Sequence, residues 1–278
     1  MHPLNSKIPT LEKNTAMHKL LTAAFLAISV TAKAQKTDTP MTPPEASPFI
    51  LKGYEALDYV AGDLNGDGKK DAILILKQPG EDTAMDLDNA PDRPLLVLIR
   101  QADGKLKQVA RNDNAIMCRQ CGGVFGDPYA GTTIAANGFI LSFYGGSGWR
   151  WGNDYKFVYR SAKKNWYLVK ENSTNYHAAD PEHPTKNAVI EEAEFGETSL
   201  SSFKSAVEFD ESEWKVTAVK TYFYSSPKLG SKPRKGYLLK GNKVSAIRQL
   251  KNFIEISFEN DKGEFTEGYI LRKDLVKQ

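Results

Sequence analysis

Oxygen-bearing side chains occur at alternate positions around a glycine-rich turn between residues 63 and 71. In a calcium loop, the first, third and fifth positions give side-chain oxygens, the seventh gives its backbone carbonyl, and the ninth often acts through water. In this chain those positions are Asp63, Asn65, Asp67, Lys69 and Asp71. Gly68 occupies the sixth position, where the loop turns sharply. The spacing therefore predicts a site for Ca²⁺; the alternative is a solvated hairpin of turn-forming residues that binds no ion.

The twelfth position distinguishes this loop from the helix-loop-helix type. An EF-hand has a bidentate Glu there, but this chain has Leu74 within the apolar run 72–76, which predicts a strand. The segment 62–72, Gly-Asp-Leu-Asn-Gly-Asp-Gly-Lys-Lys-Asp-Ala, resembles the FG-GAP repeats of integrin-like propellers, whose calcium loop joins two strands. The expected role of the ion is structural, because it would neutralise three mutually repelling carboxylates and hold the loop closed.

Cys118 and Cys121 are the two cysteines of the chain. An exported protein meets oxidising conditions, so a local disulfide is the expected state. The same spacing occurs in thioredoxin-type redox motifs, but the surrounding sequence lacks the βαβ pattern of that fold. Zinc would need two further ligands, and after signal removal the histidines on offer are His177 and His183.

The segment Cys121-Gly122-Gly123-Val124-Phe125 resembles the cysteine segment of papain-like cell-wall peptidases. This resemblance implies a thiol nucleophile at Cys121 with His177 as its base. Gly122 stands where that family has serine, and a disulfide to Cys118 would remove the nucleophile. A cell-wall hydrolase is therefore the alternative to a non-catalytic function.

Two indoles and a guanidinium follow a glycine-rich segment at residues 145–152. In a strand, Trp149 and Trp151 would share one face and Arg150 would lie on the other. Such a pair suits an aromatic platform for a sugar or a peptide, and the alternative is that both rings close a β core. A serine-hydrolase elbow is excluded, since Trp149 stands where the motif needs glycine.

The amino-terminal segment predicts export. Lys19 precedes the apolar run 20–30, and Ala-Lys-Ala at 32–34 supplies small residues for cleavage, so the mature chain is expected to begin at Gln35. Met17 heads a complete signal, which makes it an alternative start to Met1. The apolar run is too short for a membrane helix. A periplasmic or extracellular location fits a weak calcium site, because calcium is more concentrated outside the cytoplasm.

The remaining sequence predicts an all-β protein. After a linker at 35–48, short strand-like runs separated by turn signals predict a β-meander or sandwich-like domain over 49–213. Asp103-Gly104 between two apolar runs predicts a hairpin. A second meander is predicted from runs at 132–135, 139–144, 155–160 and 166–170. The polar segment 172–186 predicts a loop, and the segment 190–209 predicts a strand or a short helix.

Residues 214–278 predict a second domain. The segments 218–227, 235–244, 253–258, 260–263, 266–270 and 273–275 resemble the strands and loops of bacterial SH3-like domains, with Tyr269 where that family often has tryptophan. Alternating apolar residues in this region also suit a small barrel. The resemblance implies a binding module for cell-wall polymer or peptide. Its candidate stacking residues are Tyr222, Tyr224 and Tyr237.

Charge is distributed unevenly between the two predicted domains. Residues 35–213 contain 19 Lys/Arg and 27 Asp/Glu, whereas residues 214–278 contain 14 and 6, which gives net charges of −8 and +8. This polarity predicts either different partners or mutual attraction across a linker, and the alternative is chance asymmetry on solvated surfaces. Nucleic acid is not an expected partner, because the protein is exported and its basic residues form no aromatic-interleaved motif. The sequence thus favours an exported, calcium-stabilised binding protein of the bacterial envelope.

Overall fold

The computed structural model describes residues 42–81, 90–182, 186–205 and 212–278. These ranges all belong to one compact unit, residues 37–278. The predicted signal segment 1–34 lies outside the described residues. Within them the prediction of an all-β fold is confirmed, with seventeen strands and one four-residue α-helix. None of the described helices has the length and apolar character needed to cross a bilayer.

The first sheet contains four antiparallel strands in the order β1-β2-β3-β4. They are β1 (Glu55–Gly62), β2 (Asp71–Lys77), β3 (Leu95–Arg100) and β4 (Leu106–Asn112). The predicted hairpin is confirmed, since β3 and β4 pair and are joined by a turn that contains Gly104. The φ of Gly104 is 82°, a left-handed value that glycine adopts without strain because it has no Cβ. Residues 49–51, just after the predicted linker, pack on the outer face of this sheet, so β2 is buried on both faces.

The second sheet has six strands, with β10, β8, β7, β6 and β5 in order and β9 added on β8. They are β5 (Tyr129–Ala135), β6 (Gly138–Gly146), β7 (Trp149–Arg160), β8 (Asn165–His177), β9 (Lys186–Glu191) and β10 (Thr198–Ser199). The helix α1 (Glu192–Phe195) follows β9, so the expectation of a strand or short helix in this region is met as far as residue 205.

The prediction of a loop over 172–186 is wrong for its first part, because β8 continues to His177. This half of β8 pairs with β7 on one edge and with β9 on the other, so its backbone polar groups are satisfied in the ladder. Its polar side chains are compatible with a strand because this end of the sheet faces a cavity with charged lining residues and the third sheet instead of the apolar core.

The first and second sheets share one apolar core, as a sandwich-like domain requires. The first sheet contributes Ile73, Ile75, Leu95 and Val97, and the second contributes Phe139, Leu141, Phe157 and Trp166. Phe139 and Phe157 stack with their ring centroids 5.1 Å apart. The loop at residues 63–71, the candidate calcium loop, lies at the edge of this core, to which its residue Leu64 belongs.

The third sheet is formed entirely by residues after Ser212 and curls into a half-barrel. Its strands are β11 (Glu213–Val216), β12 (Lys220–Tyr224), β13 (Pro233–Leu239), β14 (Lys243–Gln249), β15 (Phe253–Glu259), β16 (Phe265–Leu271) and β17 (Leu275–Lys277). Their order is β13-β12-β16-β15-β14-β11-β17. The concave side encloses a core that includes Trp214, Val216, Phe223, Ile254 and Ile256.

The half-barrel packs against the second sheet. β15 is buried on both faces: Ile254 and Ile256 face the half-barrel core, whereas Phe253 joins Ala188 and Ile190 of β9 in a separate cluster. Two ion pairs accompany this contact. Arg248 donates to Glu171 at 2.8 Å, and Lys186 donates to Glu255 at 2.6 Å.

Only one of these pairs follows the overall polarity of the chain. In the first pair, the cation Arg248 belongs to the basic segment and the anion Glu171 to the acidic segment. In the second pair, the cation Lys186 belongs to the acidic segment and the anion Glu255 to the basic segment. The contact therefore depends on local partners and on the apolar cluster around Phe253 and Tyr269 more than on net charge.

Candidate functional site

The candidate calcium loop connects β1 to β2 and is organised around Asp63. The two carboxylate oxygens of Asp63 accept hydrogen bonds from the backbone N–H groups of residues 65, 66, 67 and 68, at 2.7–3.2 Å. Gly66 and Gly68 have φ values of 82° and 80°, a left-handed conformation in which L side chains are strained. Alternating glycines thus allow the backbone to wrap around one carboxylate.

The loop is fixed to the core on both sides. Leu64 is fully buried, and its carbonyl accepts a hydrogen bond of 2.8 Å from Nε1 of Trp166 in the second sheet. Asp71 accepts from the N–H of Leu64 at 3.0 Å and from the N–H of Arg100 at 2.9 Å. The carboxylate of Asp71 therefore ties the start of the loop to its own strand and to β3.

The loop also lies directly on the turn between β5 and β6. A Cβ at Gly66 would come within 2.5 Å of the side-chain oxygen of Asn137. Asn137 itself has a φ of 56°, as expected for the Asn-Gly turn. The close approach explains why the chain needs glycine at position 66 for space as well as for conformation.

Three of the five predicted ligand residues come together. Carboxylate oxygens of Asp63, Asp67 and Asp71 all lie within 4.8 Å of one another. The other two residues support the loop: Asn65 accepts from the N–H of Asp67 at 2.9 Å, and the ammonium of Lys69 lies 3.4 Å from Asp67. This set of oxygen atoms has the chemistry of a hard-cation site.

The pKa values of the three carboxyl groups differ in direction. Burial raises the pKa of Asp71, hydrogen bonds from Arg100 and Leu64 oppose this, and repulsion from Asp67 and Asp63 adds to it, so the net shift is upward. Burial would raise the pKa of Asp63 too, but the four loop N–H groups lower it overall. The hydrogen bond from the N–H of Lys69 is the main reason that the pKa of Asp67 is lowered. Without a cation, ionised Asp71 is thus the electrostatically disfavoured member of the cluster.

The predicted disulfide is confirmed: Cys118 and Cys121 are bonded to each other, and no described cysteine is free. In this state neither sulfur is a thiolate, so Cys121 has no nucleophile to offer a peptidase. His177 accepts from the N–H of Ala179 and lies edge-on to Trp149, with ring centroids 5.0 Å apart. Cys121 lines a cavity to which His177 does not contribute. His183 lies outside the described residues.

Arg93 is a buried cation for which no role was predicted from the sequence, and it contacts the segment that contains the disulfide. Arg93 is 0% exposed and donates to both oxygens of Glu81 and, at 2.7 and 2.8 Å, to the two oxygens of Asp127. It also donates to the carbonyl of Met117 at 3.1 Å. These contacts raise the pKa of Arg93 despite the opposing effect of burial. The cluster joins Glu81, Arg93 and the segment 117–127. These contacts do not recur at a regular spacing along the chain, so no sequence pattern predicts them.

The five predicted aromatic candidates lie in three environments. Trp149 is 56% exposed, whereas Trp151 is half-buried and lines a cavity between the second and third sheets. Tyr222 and Tyr224 alternate along β12 and lie on its outer face, and Tyr237 lies beside Tyr222 on β13.

No family model, curated protein or solved structure matches this chain.

The outer face of the β12–β13 hairpin combines aromatic rings with a cation, and we call Lys220, Tyr222, Tyr224 and Tyr237 the tyrosine strip. Tyr222 and Tyr237 are 36% and 49% exposed, with ring centroids 6.2 Å apart. The ammonium of Lys220 lies 3.9 Å from the centroid of Tyr237 and 5.1 Å from that of Tyr222. The cation is thus held over two exposed rings.

Tyr224 leads from the strip into a cavity of about 520 Å³ on the third sheet. Apolar atoms of Leu229, Phe253 and Leu271 line it together with three cationic residues, Lys251, Arg272 and Lys273. No carboxylate is among its described lining residues. The strip and this cavity form a continuous aromatic and basic surface.

Proposed function

We propose that this protein is an exported, non-catalytic binding protein of the bacterial envelope. Calcium stabilises its β1–β2 loop, and its half-barrel binds cell-wall polymer or peptide. The observation that carries the proposal is the continuous aromatic and basic surface formed by the tyrosine strip and the adjoining cavity. Such a surface suits a ligand that combines flat or ring-shaped groups with negative charge.

The strip is a binding surface of the right kind for an extended polymer. Alternate residues of a strand point to one face, so Lys220, Tyr222 and Tyr224 follow one another along about 13 Å of β12. Exposed tyrosines supply contact area with little loss of conformational entropy. The basic residues of the half-barrel add attraction for anionic wall polymers, which salt weakens.

Calcium has a structural role in this proposal. The residues that would hold it are Asp63, Asp67 and Asp71, with the carbonyl of Lys69 and with Asn65 as further oxygen donors from the same loop. A bound divalent cation would remove the repulsion among the three carboxylates. Because Leu64 and Asp71 connect the loop to both layers of the sandwich, stabilising the loop also stabilises the sandwich.

A pull-down on purified cell-wall sacculi tests this function. The mature chain from Gln35 is expected to be retained at low salt and released as salt rises. The Tyr222→Ala/Tyr237→Ala double variant is expected to lose retention. The control is Phe265→Ala, because Phe265 is 70% exposed on β16 and lies outside the strip. The function is wrong if the unmodified protein is not retained, and the assignment of the strip is wrong if both variants bind equally.

A further inference from the structure

A cavity of about 450 Å³, lined by polar, charged and apolar residues, lies between the second sheet and the half-barrel, and its volume suits a small ligand. Its first wall is one face of β7 and β8. Trp151 pairs across the strands with Asn175, and Asn153 pairs with Ser173, so alternate residues place these four side chains on the same face. The wall therefore offers an indole and a row of neutral hydrogen-bonding groups.

The second wall consists of charged residues of the half-barrel. Strand pairing sets Glu267 opposite Ser257 and Glu255 opposite Tyr269, which makes the two carboxylates diagonal neighbours on one face. A β-bulge between Ala246 and Arg248 sets Arg248 opposite Glu255. Glu255 and Glu267 thus line the same wall of the cavity.

The charges that line the cavity do not balance. Its ionisable residues are Glu171, Lys186, Arg248, Glu255 and Glu267. Arg248 neutralises Glu171 at 2.8 Å, and Lys186 neutralises Glu255 at 2.6 Å. Glu267 forms no ion pair with a described residue, so the lining keeps one negative charge.

The unpaired carboxylate is accessible to a ligand, because Glu267 is exposed on β16 and lines the cavity. Partial burial is the main cause that raises the pKa of Glu267, and the charge of Glu255 adds to it. Lys186 opposes the shift but remains outside ion-pair distance. A second cation placed in the cavity would relieve the repulsion between the two carboxylates.

We propose that this cavity binds the primary ammonium group of a small polar molecule, with Glu267 as its counter-ion. The skeleton of the ligand packs against Trp151, and Asn153 and Ser173 hydrogen-bond its hydroxyl or amide groups. Trp151 is held in place for this contact, since a Cβ at Gly145 would lie within 2.5 Å of the indole. Both an amino sugar and the amino end of a short peptide carry this chemistry. The site lies apart from the calcium loop and the tyrosine strip, so it stands independently of the proposed function.

NMR titration of the mature protein tests the site. The probes are glucosamine and alanyl-alanine amide, each compared with its N-acetylated counterpart, which has the same skeleton without the charge. We expect saturable shifts of the Trp151 indole N–H and of the Asn153 and Ser173 amides with at least one amine. The tighter of the two amines identifies the source of the ammonium group. The site is refuted if neither amine shifts these signals, or if the acetylated probes shift them equally.

A pair of matched variants tests the role of the carboxylate. Glu267→Gln keeps the size of the side chain and is expected to weaken binding of the amine by about twofold to fivefold. Glu259→Gln removes the same charge from an exposed residue of β15 outside the cavity and is expected to leave binding unchanged. Unchanged affinity in Glu267→Gln, with an otherwise intact spectrum, would overturn the assignment.

Discussion

Replacing Arg93 by methionine is expected to destabilise the protein strongly, because it leaves the Glu81 carboxylate buried without its cation. The side chain of Glu81 is only 2% exposed, and that of Asp127 is 26% exposed. Removing one partner of a buried ion pair costs about 3–5 kcal/mol. For a unit of this size, each kcal/mol lowers the melting temperature by about 2–4 °C, so the expected loss is about 6–20 °C.

The pH dependence of this loss identifies its cause. In Arg93→Met the buried Glu81 carboxyl group has no cation beside it, so the folded state disfavours its charged form. A carboxyl group of this kind stabilises the folded state below its unfolded pKa, and this contribution is lost as pH rises through the folded pKa. The deficit in melting temperature, followed by circular dichroism, should therefore be larger at about pH 7 than near pH 4.5.

A double-mutant cycle completes the test. Glu81→Gln removes the charge that Arg93 compensates, so Glu81→Gln/Arg93→Met should be more stable than Arg93→Met alone at neutral pH. A deficit that is equal at both pH values, together with a double variant no more stable than Arg93→Met, would refute the ion-pair explanation and point to lost packing volume instead.

The other predictions concern the loop backbone and the disulfide. Gly66→Ala should lower the free energy of unfolding in urea more than Gly68→Ala does. Both variants place alanine at a left-handed φ, which costs about 1–2 kcal/mol. Of the two, Gly66 alone also faces the Asn137 side chain, which a Cβ would crowd. Equal costs would show that Asn137 moves aside freely. Replacing Cys118 and Cys121 by serine should cost about 2 kcal/mol, since so short a loop restricts the unfolded chain only slightly. A much larger loss in thermal unfolding would mean that the disulfide has a further structural role.

The sequence predicted the features whose causes are local. Asp103-Gly104 fixes its hairpin through turn chemistry, and alternation along β12 places Tyr222 and Tyr224 on one face. The grouping of Asp63, Asp67 and Asp71 follows from their spacing around two glycines. The disulfide was predicted from the cysteine pair together with the predicted export signal.

Features set by distant pairing could not be read in this way. The second half of β8 is polar, and it forms a strand because β7 and β9 satisfy both of its edges. Glu171 and Arg248 are 77 residues apart in sequence. Neither residue shows a local pattern that indicates its partner. The cavity between the second sheet and the half-barrel is likewise formed by three strand pairings and a bulge, none of which is marked by a local motif.

Titration of Ca²⁺ into the chelator-stripped mature protein, followed by calorimetry and thermal unfolding, tests the central claim most directly. A dissociation constant of about 10⁻⁴–10⁻³ M is typical of extracellular sites. At about 10 mM calcium this affinity adds about 1.4–2.7 kcal/mol, or about 3–11 °C in melting temperature. Asp67→Asn, which keeps an oxygen for the N–H of Lys69 but removes a charge, should lose most of this gain, and Asp103→Asn in a separate turn should keep it. Absence of both binding heat and a thermal shift in the unmodified protein, or an undiminished shift in Asp67→Asn, would contradict the account.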